Sequence, residues 1–143
     1  MCNDISMFGP GPTSMMQDSN FALKINSNGE IEGIVEKPKY FDENNDLIDT
    51  DLTEAGFIGD KISFLTEYEN EPGKIRMLHT FFSSKGFFTI GEMIKIIIDF
   101  EIMDRPKRKT SISEIDTHNV FFEGIHETES TNCENSYYVF WSS

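Results

Sequence analysis

The stretch TIGEMIKIIIDFEIM, Thr89 to Met103, reads as one capped amphipathic helix set between segments that read as β-strand. Thr89 is placed to accept at the helix N-cap, and Glu92, three residues on, can reach back to the Thr89 amide, the reciprocal pair of a capping box. At about 100° per residue, Ile90, Met93, Ile94, Ile97, Ile98 and Phe100 fall within one arc, with Gly91, Glu92, Lys95 and Asp99 opposite. Such a helix buries one face on a sheet. A Lys95–Asp99 pair on the wet face is worth only about 0.2–0.5 kcal/mol, so burial of the apolar stripe must supply most of the stability. Pro106 forbids continuation, and Arg105, Lys107, Arg108 and Lys109 place cations at the negative end of the dipole. Glu101 interrupts the apolar stripe. A buried acid needs a partner, and Arg105, four residues on, is in reach; the alternative is a carboxylate facing a pocket.

Outward from the helix, the chain reads as paired strands. Phe21 to Ile25 and Glu30 to Glu36 flank Asn28-Gly29, a hairpin signature that Pro38 closes. Lys61 to Glu69 alternates as a strand, Pro72-Gly73 turns it, Lys74 to Phe82 returns, and Ser83 to Gly86 links to the helix. Asn119 to His126 and Ser136 to Trp141 form a further antiparallel pair. The doublets Phe81-Phe82, Phe87-Phe88, Phe121-Phe122 and Tyr137-Tyr138 send alternate rings to opposite faces of a strand, and both faces are expected to be covered. The expectation is an α+β fold: an antiparallel β-sheet of about five to seven strands, built from hairpins and packed against one main helix near residues 90–103. Residues 1–20, with Gly9-Pro10-Gly11-Pro12 and scattered Met7, Phe8, Met15 and Met16, read as a flexible arm, or as a segment that docks through those side chains. Residues 21–143 read as a single domain.

This order of elements argues against a doubly wound βαβ architecture, and neither GxGxxG nor GxxxxGK[ST] is present, which removes two familiar phosphate cradles. Twenty-five acids against twelve bases give a net charge of −13 over 143 residues. Such a surface repels phosphate, so no direct nucleic-acid binding is expected and the run Arg105 to Lys109 reads as a solvated helix end. No long apolar run and no basic-then-apolar leader pattern is seen, so no membrane association is expected and the location is read as cytoplasmic, with the nucleus also open. Cys2 and Cys133 lie far apart without a CxxC and read as free thiols.

Residues 42–54, DENNDLIDTDLTE, hold six acids and no base: Asp42, Glu43, Asp46, Asp49, Asp51 and Glu54. Asp42, Asn44 and Asp46 alternate as in a calcium loop, but Leu47 stands where the sharp turn wants Gly and Thr53 where a bidentate Glu is wanted. The stretch is read as a solvated hairpin loop, with no metal and no cofactor, whose field attracts basic protein surfaces. His118, with Asp116 two residues before it, is a weak catalytic candidate, as is Glu101; no nucleophile or second ligand is tied to them by sequence. Two functions follow. One is stoichiometric association with, and inhibition of, a basic protein partner; small acidic immunity, anti-restriction and anti-CRISPR proteins share this profile in composition alone. The other is a small-ligand-binding protein or enzyme with an aromatic pocket near His118. A structural or self-associating subunit using Tyr137 to Trp141 is a third; oligomeric state is left open.

Overall fold

The capping box forms with both of its hydrogen bonds. Thr89 Oγ1 accepts from the Glu92 amide at 3.1 Å and Glu92 Oε1 accepts from the Thr89 amide at 2.9 Å. In the computed structural model, which describes residues 11–70, 73–108, 119–128 and 136–143, the helix that follows runs Ile90–Asp104 (α2) and passes into a 3₁₀ turn, Arg105–Arg108. Its stripe buries Ile90, Met93, Ile94, Ile97 and Phe100 as expected, and Lys95 Nζ lies 3.4 Å from Asp99 Oδ2 on the wet face.

Eleven strands surround it among the described residues: β1 (Gly11–Pro12), β2 (Leu23–Ile25), β3 (Ile31–Ile34), β4 (Lys39–Phe41), β5 (Leu47–Asp49), β6 (Ala55–Ile58), β7 (Lys61–Asn70), β8 (Gly73–Phe82), β9 (Phe87–Thr89), β10 (Phe121–Glu127) and β11 (Ser136–Ser142). The largest sheet is ordered β10-β11-β7-β8; a second is β1-β6-β9, and β2–β3 and β4–β5 are hairpins. The fold is therefore α+β with one main helix on antiparallel sheet, and the strand count exceeds five to seven. The additional strands are two to four residues long, too short for alternation to register. Residues 87–89 are one such case: they follow the expected link and pair with β6 before the helix starts. One pairing is parallel, with Ser136 beside Ser63 and Tyr137 beside Phe64; it joins the two long hairpins into one sheet.

The core lies between this sheet and α2. Phe64 of β7 meets Phe100 of α2 at 5.1 Å between ring centroids, and Phe57 of β6 meets Tyr137 of β11 edge-on at 5.6 Å. Gly56 permits the close approach of β6 to the helix start, because a Cβ there would stand 3.0 Å from Ile90 Cα. Regular structure also begins before Phe21. Ser14–Asp18 form a short helix (α1) capped by Thr13, and Met16 is fully buried in the same core. Residues 11–20 thus carry β1, α1 and a core side chain; the rest of the expected arm, residues 1–10, lies outside the described residues. In the hairpin β2–β3, Gly29 takes φ 82°, the left-handed conformation that its place in the turn requires.

The aromatic doublets split across their strands. Phe88, Phe122 and Tyr137 are buried, while Phe82 is 75% and Phe121 51% exposed. The expectation that both faces are covered is corrected at these two rings. No helix among the described residues is long and apolar enough to cross a membrane.

Candidate functional site

Two places gather polar chemistry. The first is the acidic stretch, which is a hairpin. β4 and β5 pair antiparallel as Lys39↔Asp49, Tyr40↔Ile48 and Phe41↔Leu47, so the turn between them is Asp42 to Asp46. Asp42 Oδ1 accepts from the Asn44 and Asp46 amides, both at 2.9 Å, and Asn45 adopts φ 65°. These bonds explain the alternating acids: Asp42 folds the turn on itself, a task that short polar side chains perform without a metal. Among the described residues no three His, Cys, Asp or Glu side chains gather as a metal site would need.

The hairpin is anchored at its stem and open at its tip. Asn20 and Lys39 exchange backbone hydrogen bonds at 2.6 and 3.0 Å, and the Thr50 amide donates to Pro38 at 2.9 Å. Beyond it, the Ile90 amide donates to the Glu54 carbonyl at 2.8 Å and the Gly91 amide to the Leu52 carbonyl at 3.0 Å. Two orphan amides of the α2 N-terminus are satisfied this way, so residues 52–54 are fastened to the most regular element in the fold. Thr53 donates its hydroxyl at 2.6 Å and its amide at 2.9 Å to Asp51 Oδ1. These bonds, the hydroxyl first, hold the Asp51 carboxyl below the usual aspartate range.

Glu43, Asp46, Asp49, Asp51 and Glu54 are all exposed and Asp42 is half-buried. Lys39 Nζ reaches Asp49 and Glu36 only at 3.9 Å each. Apolar side chains lie among these acids: Phe41 is 57%, Leu47 51%, Leu52 42% and Ile48 37% exposed. The sequence reading missed this apolar component. The signal available was Phe41 and Leu47, placed symmetrically about a turn-forming DENND and therefore destined to be cross-strand neighbours.

The second place is the C-terminal end of α2. Glu101, Asp104 and Arg105 are all buried there. Arg105 Nε donates to Glu101 Oε1 at 2.8 Å, and its guanidinium lies 5.4 Å from the centroid of the Trp141 ring. The Thr66 hydroxyl of β7 donates to Asp104 Oδ2 at 2.7 Å. His79 of β8 brings Nε2 to 3.9 Å from Asp104 Oδ1, beyond hydrogen-bond range, with its ring edge-on to Phe100. The Glu101–Arg105 pair expected from i,i+4 spacing is present. Arg105 is not part of a solvated helix end, because the 3₁₀ turn tucks its guanidinium between Glu101 and Trp141. The pair also walls a groove of about 270 Å³ whose other sides are Gly29, Glu30, Ile31, Ile102 and Pro106. A histidine beside a carboxylate does occur in the fold, but as His79 with Asp104, contributed by strand and helix and invisible to sequence proximity. His118 and Asp116 lie outside the described residues, as do Cys2, Cys133 and Lys109.

Comparison with protein-family models, with curated proteins and with solved structures finds no match.

Proposed function

We propose that the protein is a small acidic binding protein that associates stoichiometrically with a basic protein partner and blocks it, through the β4–β5 hairpin and the residues that follow it. The observation that carries this reading is the make-up of that hairpin. Glu43, Asp46 and Asp49 share one exposed element with Phe41, Leu47 and Ile48, and Asp51 and Glu54 extend the same acidic surface to the start of α2. Acids around an apolar centre combine long-range attraction with area to desolvate on contact. A charge of −13 on the whole chain adds to the steering. The anchoring of residues 52–54 on α2 lowers the entropy lost on binding, since the surface is held before the partner arrives.

The test is capture from lysate of the source organism on immobilised full-length protein at low and at high salt. A basic protein held near one-to-one and released by salt is the expected result; loss of that protein when Asp42, Asp46, Asp49 and Asp51 are replaced by Asn would tie it to the hairpin. Capture unaffected by those four replacements would remove the hairpin from the account.

A second reading, a small-ligand site, draws on the groove beside Glu101 and Arg105, where a buried ion pair borders open space. It is tested by Ile102→Lys, a change at an exposed residue of the groove wall, which should abolish ligand binding while the Glu101–Arg105 pair and the thermal midpoint are unchanged.

A further inference from the structure

The hairpin ends in an open sheet edge. Among the described residues β5 has one neighbour, β4, whose other side is occupied by Asn20. The hydrogen bonds of the hairpin decide which backbone groups of β5 face outward. The Asp42 amide donates to the Asp46 carbonyl and the Thr50 amide to the Pro38 carbonyl, both at 2.9 Å. Residues 46, 48 and 50 therefore turn their backbone groups toward β4, and by strict alternation Leu47 and Asp49 turn theirs away. Both side chains are exposed as well. An edge of this kind is a template for another strand, and proteins ordinarily blunt or cover such edges.

We propose that β5 is a β-augmentation site, at which an extended segment of the basic partner adds as a third strand beside Leu47 and Asp49. The inference rests on the proposed function for its partner and adds the mode of contact. Side chains specify the occupant. Leu47 and Asp49 project from one face, next to Phe41 and Lys39 of β4, so the incoming strand needs an apolar residue beside Leu47 and a lysine or arginine two positions away beside Asp49. Asp46, at the turn, extends the negative field along the same edge, whereas an acidic or uncharged strand would gain nothing from it. Four outward backbone groups, the amide and carbonyl of each of the two residues, set the register; the side chains choose the partner.

The test uses the full chain and a blocked octapeptide, Thr-Val-Thr-Lys-Thr-Val-Thr-Lys, which sets valine and lysine two positions apart on one face of the strand, titrated at low salt. Asp49→Asn removes the charge and keeps the amide, whereas Asp49→Pro removes both and is tolerated on an outward-facing edge position. The expected result is that Asp49→Pro weakens peptide binding by about tenfold or more relative to Asp49→Asn. In the wild-type complex, the Leu47 and Asp49 amides should exchange about tenfold or more slowly than in the free protein, with the Ile48 amide unchanged. Equal binding by the two variants, with no added protection at Leu47 and Asp49, would overturn edge pairing while leaving charge-driven association with a basic protein intact. Failure of the peptide to bind would also overturn edge pairing; the salt-sensitive capture experiment decides the parent reading separately. Should Asp49→Pro not fold, amide exchange in the wild-type protein still decides for or against edge pairing.

Discussion

Arg105 is the residue on which the end of α2 depends. It is 3% exposed, donates to a fully buried Glu101 and stacks its guanidinium over Trp141. Removing it takes the guanidinium away from a carboxylate buried in the core, so Arg105→Ala should lower stability by about 3–5 kcal/mol, read as a drop in urea midpoint. A surface ion pair would shift it by less than about 1 kcal/mol, and that smaller result would contradict the burial. Tyr137 makes a second residue-scale prediction. Burial, with a smaller contribution from Glu127, pushes its phenol up to about 12. The unfolded chain then loses that proton first as pH rises, so the stabilisation from the protonated phenol is complete below about 10 and is lost between about 10 and 12. Tyr137→Phe should lack this part of the alkaline loss, as thermal unfolding at stepped pH would show. The Glu101–Arg105 pair was legible because i,i+4 spacing on one helix is a local relation. Asp104 with Thr66 and His79 was not, because those partners come from β7 and β8 and only the tertiary fold brings them together.

At the scale of elements, α2 was the most legible part of the chain because cap, periodicity and stop signal all agree over one continuous stretch. Thr89→Ala should cost about 1 kcal/mol through loss of the cap bond to the Glu92 amide. The Glu92 carboxyl, held below its usual range first by Lys85 and then by the Thr89 amide, stays ionised well below neutral pH. Its contribution is therefore present at neutral pH and is lost only as pH falls through the lowered folded value. The long hairpin β7–β8 was legible for the same reason as the helix: ten residues on each side carry a repeated pattern. β1, β5, β6 and β9 were not. Each is too short to display a period of two, and for β1, β6 and β9 the strand state is also imposed by partners distant in sequence, as when Phe57 pairs with Phe88.

At the scale of the molecule, the acids of residues 42–54 lie along the β4–β5 hairpin and the segment after it, of which residues 52–54 are braced against α2. Their density was plain in the sequence. That Phe41, Leu47 and Ile48 stand exposed among them was not, because apolar residues in an acidic run carry no mark of which way they face. The catalytic alternative built on His118 and Asp116 lies outside the described residues, and the histidine–carboxylate approach the fold does show is enclosed between sheet and helix. The most direct measurement is the association rate with the captured basic partner at low salt, comparing wild type with the fourfold Asp42, Asp46, Asp49 and Asp51 to Asn variant. A slowing of about tenfold or more, shrinking at high salt and accompanied by an unchanged thermal midpoint, is the predicted result. Equal rates for the two proteins at low salt would contradict the account.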